Sequence, residues 1–213
     1  MNEREIIARR VAKELSDGMV VNLGIGIPAM AANYVPDGVD IILQSENGML
    51  GMGPTPDEAN IDKNIVNAGG KYITARTGAC FFDSSMSFTI IRGGHVDLTV
   101  LGALQVDSSG NLASHIIPGK MVSGMGGAMD LVTGSKNVVV AMTHTAKGNA
   151  PKILEKINLP ATAICQVNKI ITELAVIDVT PQGLVLTELA EGATVEQVVE
   201  LTAAKLHISE HLV

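Results

Sequence analysis

The stretch MVVNLGIGIPAMAANYVPDGVDIILQSE, residues 19–46, decides the fold. Residues 19–24 are an apolar run that ends in a glycine turn, the pattern of a buried strand. Residues 27–35 fit a helix with Pro28 in its first turn, and after a Pro-Asp-Gly break residues 39–46 form a second apolar run. Strand, helix and strand within about thirty residues predict a βαβ unit, and therefore two parallel strands.

The same patterns extend the α/β interpretation over the rest of the chain. A segment rich in Gly, Pro, Asp and Asn is predicted to be a loop over residues 50–71, and Thr194 is predicted to cap the last helix. Neither an internal repeat nor a linker interrupts the pattern, so residues 1–213 are predicted to form one domain with a mixed sheet and helices on its faces. Further strands are predicted at 71–77, 96–106, 137–144, 169–180 and 183–190, the last two as a hairpin, and helices at 3–16, 85–93 and 194–206.

Composition excludes several classes of protein. The net charge of −7 argues against a nucleic-acid partner, because phosphate binding requires a basic surface. Mean hydropathy is +0.31, yet Gly, Pro, Asn or a charge interrupts every apolar run before it reaches membrane-spanning length. The N-terminus lacks the apolar stretch of a signal peptide, so the expected location is the cytoplasm. The apolar surplus predicts doubly buried strands and a surface reserved for another chain.

The two cysteines offer no metal-binding signal. Cys80 and Cys165 lie too far apart in sequence for ligand spacing, and both are interpreted as small buried hydrophobes. No other cluster of metal-ligating residue types is apparent in the sequence, so no metal is expected.

Glu46 is the first candidate for chemistry. It follows the predicted strand 39–46, and Asn47-Gly48 provides a sharp turn that would present its side chain. Ligands of open α/β sheets bind at the carboxyl edge of the parallel strands, where Glu46 would lie. A glutamate in a turn is more often a cap or a partner in a surface ion pair, so Glu46 alone carries little weight.

Two glycine-rich stretches change that balance. Residues 22–28, NLGIGIP, place Asn22, Gly24 and Gly26 at the same predicted edge, although Ala29 breaks the G-x-G-x-x-G spacing of a dinucleotide loop. Residues 118–131, PGKMVSGMGGAMDL, leave bare backbone that could bind an anion or an oxyanion.

Residues 118–131 also contain a lysine and several apolar side chains. Lys120 could reach a phosphate, while Gly126 and Gly127 precede a predicted helix. Interleaved Met and Val residues argue against a solvated loop. Since the spacing supports no Ser–His–Asp set and no second paired carboxylate, Glu46 facing glycine amides suggests a carboxylate nucleophile in acyl chemistry.

Six stretches of the sequence also carry a family resemblance. The chain resembles the B (beta) subunit of family I CoA-transferases, the group of 3-oxoacid and butyrate– or acetate–acetoacetate enzymes, from about residue 4 to residue 206. The S-E-N-G motif together with G-M-G-G-A-M-D is highly specific for this family. The stretches are NLGIGIP (22–28), LQSENGMLGMGP (43–54), VNAGG (66–70), SFTIIRGGHVDLTVLGALQV (87–106), NLASHIIPGKMVSGMGGAMDLV (111–132) and ITELAVIDV (171–179).

The resemblance implies a fold, a mechanism and a partner. The fold is a three-layer α/β sandwich whose central mixed, mostly parallel sheet is flanked by helices. Glu46 would form a glutamyl-CoA thioester by way of a mixed anhydride, with oxyanion contacts from Gly126 and Gly127 and a polar contact from Asn22. Coenzyme A is then a substrate and part of a covalent intermediate, and no cofactor is expected. A separate CoA-transferase A (alpha) subunit is implied, in an A₂B₂ heterotetramer, and the chain alone could form a homo-oligomer.

Three positions depart from the family pattern. Ser114-His115 stands where the family often has Asn-Trp. Many relatives have Ala-Gly-Lys where this chain has Ala-Gly-Gly70, so that the lysine, Lys71, comes one position later. Thr143 stands where relatives often have Glu. Substrate preference therefore does not carry over. Two alternatives to CoA transfer remain open from the sequence: an acyl-CoA hydrolase on the same scaffold, and a non-catalytic module that binds CoA or a sugar phosphate.

Overall fold

The computed structural model describes residues 1–122 and 124–213, and its main feature is a mixed β-sheet. Among these residues, ten strands form the sheet in the order β10-β9-β8-β7-β6-β5-β1-β2-β3-β4. The strands are β1 Val20–Leu23, β2 Ile42–Ser45, β3 Met49–Met52, β4 Ala75–Phe81, β5 Leu98–Leu101, β6 Asn137–Ala141, β7 Lys169–Ile171, β8 Ala175–Thr180, β9 Gly183–Leu189 and β10 Leu206–Ile208. The helices are α1 Glu3–Ala12, α2 Ile27–Met30, α3 Ser84–Arg92, α4 Ala128–Gly134 and α5 Val195–Glu200.

The centre of the sheet is parallel. Strands β7, β6, β5, β1 and β2 run in the same direction, and antiparallel pairs flank them on both sides. All four residues of Leu98–Leu101 are buried, as expected for a central strand covered on both faces. The parallel pairing of β1 with β2, in which Asn22 lies opposite Gln44, confirms the βαβ prediction.

Helices cover both faces of the sheet and produce three layers. Along β6, Val139 packs in one apolar cluster with Ile7 of α1. Val138 and Val140, which alternate with it, pack in the opposite cluster with Val132 of α4 and Val198 of α5. This alternation confirms the predicted three-layer α/β arrangement. In the described part of the chain, no helix combines the length and apolarity needed to cross a membrane.

Several predicted boundaries were wrong because side-chain hydrogen bonds and pairing partners interrupt apolar runs. The predicted strand 169–180 is two antiparallel strands, since the Thr172 hydroxyl accepts from the backbone N–H groups of Leu174 and Ala175 and turns the chain. The predicted strand 96–106 ends at Leu101, and Gln105–Asp107 joins a separate small sheet with Leu112–Ala113 and Ile153–Leu154.

The predicted loop 50–71 also contains regular structure. Residues Met49–Met52 pair antiparallel with β2 and with the edge strand β4, and Glu58–Asn60 form a 3₁₀ turn. Glycines and prolines within and just after the short strand concealed it, and its β-structure depends on partners distant in sequence. The predicted cap was correct: the Thr194 side chain accepts from Gln197 N–H at 3.2 Å. Helix α5 nevertheless ends at Glu200, six residues before the predicted end.

The prediction that both cysteines are buried was wrong. Cys80 lies on β4, at the edge of the sheet, and is exposed. Cys165 is exposed in a loop, where its backbone has a φ of 53° and its N–H donates to Asn111 Oδ1 at 2.9 Å. Residue type favours burial for cysteine, but position in the fold decides it.

Candidate active site

The carboxyl ends of the parallel strands bring several predicted site residues to one edge of the sheet. Glu46 directly follows β2, and the Gly24–Gly26 turn directly follows β1, its neighbour. Their shared position follows from parallel pairing, because parallel neighbours end at the same edge. This is the edge at which open α/β sheets bind ligands.

Glu46 is held by a buried amide on the adjacent strand. Its Oε2 accepts a hydrogen bond from Asn22 Nδ2 at 3.3 Å, and Asn22 is only 2% exposed. Asn22 lies opposite Gln44, and residues two apart on a strand share a face, so Glu46 points to the same side as Asn22. The carboxylate is partly exposed, with one oxygen held from inside the protein.

The turn that carries Glu46 is fixed on both sides. Asn47 Nδ2 donates to the Val66 carbonyl at 2.8 Å, and Ser45 Oγ accepts from Ala68 N–H at 3.0 Å. Gly48 has a φ of 125°, and a Cβ there would stand 2.0 Å from the Phe82 carbonyl oxygen. Only glycine fits this position. Asn47 therefore contributes to the shape of the turn, with its amide directed at the 66–68 segment.

The loop before α4 meets Glu46 across the face of the sheet. A Cβ on Gly127 would lie 3.3 Å from Glu46 Cγ and 3.3 Å from the Phe88 ring. A side chain on Gly127 would therefore contact the Glu46 side chain, and the glycine leaves this space open. Gly126 has a φ of 56° and open space where a side chain would be. The structure thus brings the S-E-N-G and G-M-G-G motifs together.

The glycines after β1 have different surroundings. Gly24 N–H donates to the Val100 carbonyl at 2.8 Å, so this amide is used within the sheet and is not a donor for an oxyanion. A Cβ at Gly24 would lie 3.1 Å from Leu101 Cδ2, which explains the glycine by close packing. Gly26 has a φ of 92°, and its Cβ position lies 3.9 Å from an Arg4 guanidinium nitrogen. Arg4 is thus a cation at this turn that sequence reasoning missed.

Lys120 does not bind to Glu46 in the described part of the chain. It lies exposed in the turn between the short strands Ile116–Ile117 and Met121–Val122. Among residues 1–122 and 124–213, no hydrogen bond or ion pair joins Lys120 to Glu46. Its predicted contact with a phosphate remains a prediction.

Large apolar side chains are exposed on the segments that carry the predicted site glycines. Ile25 is 74% exposed in the turn after β1, and Val122 and Met129 are 80% and 49% exposed around the glycine-rich loop. The expectation that this loop is not solvated is therefore wrong for the chain alone. Apolar groups exposed next to a site are typical of a surface that another chain covers.

The residues that depart from the family pattern have local roles. Ser114 Oγ and His115 Nδ1 both contact Thr162 Oγ1, at 2.8 Å and 3.1 Å, and His115 is buried. Lys71 belongs to a tight loop in which its backbone N–H donates to Asn67 Oδ1. Gly70, with a φ of 74°, forms the turn of that loop.

A second polar cluster lies at the same sheet edge, after β6 and β7. His144 is fully buried, with ring nitrogens 3.0 Å from Thr172 Oγ1 and 2.9 Å from Thr202 Oγ1. Burial, together with the smaller effect of the nearby Lys152 ammonium, lowers the pKa of His144 to about 4. Burial also lowers the pKa of Lys152 itself, to about 8. His144 is thus a neutral bridge between two threonines.

Two further residues near Glu46 were missed by sequence reasoning. Gln44 and Ser87 are fully buried polar residues joined by a hydrogen bond of 3.0 Å from Gln44 Nε2 to Ser87 Oγ. The signal was available for Gln44, because a polar side chain within an apolar strand, two residues before Glu46, must share its face. Ser87 carried no such signal, since its helix is distant in sequence.

Fold and site together define a three-layer α/β protein with a carboxylate at the carboxyl edge of its parallel strands, against a glycine-rich loop. The family model described as coenzyme A transferase matches residues 4–201, and the chain belongs to the coenzyme A transferase family. This confirms the resemblance noted in the sequence.

Curated relatives narrow the type within the family. The chain is 51% identical over 212 residues to the beta subunit of the acetate CoA-transferase of Escherichia coli K12, in a match that covers 100% of this chain and 97% of the relative. It is 50% identical over 207 residues to the B subunit of a probable succinyl-CoA:3-ketoacid coenzyme A transferase of Bacillus subtilis 168, covering 97% and 96%. The chain is therefore of the B (beta) type among family I CoA-transferase subunits.

A solved structure shares the fold. The apoenzyme of an acyl-CoA transferase from Escherichia coli O157:H7 superposes with a TM-score of 0.79 at 25% identity. The match covers 99% of this chain and 42% of the other, so this chain spans about two fifths of that longer protein.

Proposed function

We propose that the chain is the catalytic beta subunit of a CoA-transferase that moves CoA between a short-chain acyl-CoA and a free short-chain carboxylate through Glu46. The observation that carries the proposal is the position of Glu46 at the carboxyl edge of the parallel strands, where its Oε2 accepts from Asn22 Nδ2 at 3.3 Å and a Cβ on Gly127 would lie 3.3 Å from its Cγ. A carboxylate with a buried amide donor on one oxygen and a bare backbone beside it suits a nucleophile with an oxyanion site.

The proposed chemistry has two halves. A Glu46 oxygen attacks the acyl carbon of the donor thioester, the C–S bond breaks, and a mixed anhydride and CoA thiolate result. The thiolate then attacks the glutamyl carbonyl, releases the donor's free carboxylate and leaves a glutamyl-CoA thioester. An incoming carboxylate attacks this thioester, displaces the thiolate and receives CoA by the reverse steps. Atoms balance without a cofactor, since CoA is a substrate and part of the intermediate.

Each proposed role of the site follows from that scheme. The backbone at Gly126 and Gly127 would hold the oxygen that gains negative charge in each tetrahedral intermediate. Asn22 would hold the Glu46 oxygen that does not attack. Acetoacetyl-CoA is the proposed acyl-CoA, because of the 3-ketoacid and acetate names of the relatives. The assay described below identifies the acids between which CoA is transferred.

A partner alpha subunit, in an A₂B₂ assembly, is part of the proposal. Two relatives that this chain matches over nearly their whole length are themselves named as B or beta subunits. The longer acyl-CoA transferase contains more than twice the length matched here. Exposed Ile25, Val122 and Met129 give the apolar surface that such a partner would cover. Covering the site would also exclude water, which would otherwise hydrolyse the glutamyl thioester.

The test is a complex reconstituted from this chain and an alpha subunit, with acetoacetyl-CoA and a panel of short carboxylates as substrates. Borohydride added during turnover should reduce the glutamyl thioester, and peptide mapping should place the modification at Glu46. Release of free CoA at the same rate with and without acceptor acid would identify a hydrolase. Binding of CoA without turnover or modification would identify a binding module.

A further inference from the structure

A chain of three buried side chains leads from Glu46 into the protein. Asn22 Nδ2, which donates to Glu46 Oε2, also donates to Gln44 Oε1 at 2.5 Å, and Gln44 Nε2 donates to Ser87 Oγ at 3.0 Å. Asn22, Gln44 and Ser87 are 2%, 1% and 0% exposed. No reaction step proposed above uses Gln44 or Ser87.

The orientation of the Asn22 amide follows from this arrangement. An ionised carboxylate only accepts hydrogen bonds, so Asn22 must turn its NH₂ group, not its oxygen, toward Glu46. The same nitrogen has a second hydrogen, which Gln44 Oε1 accepts at 2.5 Å, while the Gln44 backbone carbonyl is a longer acceptor at 3.3 Å. A Gln44 amide turned the other way would place its own NH₂ against that of Asn22, and two buried donors in contact are costly.

Ser87 completes the chain at its inner end. The Gln44 amide nitrogen faces helix α3, where Ser87 Oγ accepts its hydrogen bond. Without that hydroxyl, the buried Gln44 amide nitrogen would lose this hydrogen bond, and the side chain would no longer be anchored at its inner end.

We infer that Gln44 is a positioning residue for CoA transfer, anchored by Ser87, which holds the Asn22 amide with its NH₂ group toward Glu46. This inference rests on the proposed function of Glu46. It assigns a role to the glutamine that precedes S-E-N-G and to a serine on a different element. The hydrogen bonds from Ser87 through Gln44 orient the Asn22 amide before substrate binds. Such preorganised donors in a water-poor site contribute most to lowering the activation barrier.

The test uses the complex with the alpha subunit, prepared from three variants of this chain. Gln44→Met keeps the length of the side chain and removes both polar ends, and it should lower kcat about tenfold or more with KM changed less than about threefold. Asn22→Ala should lower kcat at least as much. The double variant Asn22→Ala/Gln44→Met should match Asn22→Ala within about twofold, because Gln44 acts only through Asn22.

A matched control separates positioning from folding. Thr202→Val removes a hydrogen bond to the buried His144, which follows β6, three strands away from the Glu46 strand β2 in the sheet. It should lower the unfolding temperature and leave kcat unchanged. If Gln44→Met prevents assembly with the alpha subunit, Ser87→Ala tests the inference instead. This variant removes only the hydroxyl oxygen that accepts from Gln44, and it should still lower kcat about threefold or more.

Each remaining outcome has a definite meaning. Unchanged kcat in an assembled Gln44→Met complex, or losses that multiply in the double variant, would overturn the inference while leaving the Glu46 mechanism intact. A wild-type complex that transfers no CoA would refute the proposed function first, and the inference would fall with it.

Discussion

Asn22 and Glu46 lie on neighbouring parallel strands, and the side-chain amide of the first donates to the carboxylate of the second at 3.3 Å. The relationship follows from register, because Asn22 is opposite Gln44 and Glu46 is two residues further on the same face. A buried donor thus reaches a partly exposed carboxylate from inside the protein, and a Cβ on Gly127 would lie 3.3 Å from the Cγ of the same glutamate.

Replacing the proposed nucleophile should abolish transfer. Glu46→Gln keeps the shape of the side chain and removes the anionic oxygen, so we expect a loss of at least about 10³-fold in kcat, because an amide cannot form the glutamyl thioester. The measurement is the transfer rate of the complex, with borohydride labelling in parallel.

A matched charge change provides the control for this variant. Glu196 is exposed in the first turn of α5, and Glu196→Gln should transfer CoA at the wild-type rate. Full activity of Glu46→Gln, or a borohydride label on another residue, would contradict the proposed mechanism.

A side chain at Gly127 should block the site. The Cβ of valine would lie 3.3 Å from both Glu46 Cγ and the Phe88 ring, and its methyl groups would fill the space beside the carboxylate. We expect Gly127→Val to lower kcat roughly 10²–10³-fold, the loss typical of one missing oxyanion donor. Steady-state kinetics and circular dichroism of the variant provide the measurement.

Gly126→Ala should act more weakly and by another route. There is open space for the methyl group, but a φ of 56° strains a non-glycine residue by roughly 1–2 kcal/mol. We expect a smaller loss of kcat than for Gly127→Val. A valine variant at position 127 with a near-normal rate would show that this loop is not the oxyanion site.

Activity should depend on association with the alpha subunit. The exposed Ile25 and Val122, on the segments that carry the predicted site glycines, predict that this chain binds such a partner, giving an A₂B₂ species in sedimentation velocity. The chain alone should be inactive, whether monomeric or self-associated. Ile25→Ser should weaken this association. Val213→Ser should not, although Val213 is also apolar and is even more exposed, at 85% against 74% for Ile25. A strictly monomeric chain that transfers CoA unaided would contradict this model.

The buried His144 should make stability depend on pH. Its pKa falls from the ordinary 6.5 to about 4 in the folded protein, so between these values the unfolded chain binds a proton that the folded chain does not. Its contribution to the free energy of unfolding is therefore intact above pH 6.5. This contribution declines as pH falls toward 4, by up to roughly 3 kcal/mol.

Variants isolate this contribution from that of the carboxylates that titrate in the same range. His144→Gln can still donate to one threonine and accept from the other, so it should remain folded and lose part of the decline between pH 7 and pH 4. His211→Gln, at an exposed position, should keep the wild-type decline. The free energy of unfolding in urea is the measurement. Identical pH dependence in His144→Gln and wild type would show that His144 is not the group responsible.

The sequence by itself determined the features that depend on local pattern. Apolar periodicity and glycine turns predicted the βαβ unit and its parallel strands, and the Thr194 cap was legible from residue type. The position of Glu46 at a strand end followed from the same pattern, because parallel strands must end at a common edge. The family motifs were likewise contiguous in sequence.

Only the tertiary structure decided which distant residues meet and which are covered. No local pattern connects the segments that meet in three places. Gly127 lies close to Glu46, Ser87 anchors Gln44, and Met49–Met52 pairs with β4. The exposure of Cys80 likewise follows from its place on an edge strand, not from residue type. Hydrophobic periodicity specifies which face of an element is buried, whereas packing of the elements selects its neighbours.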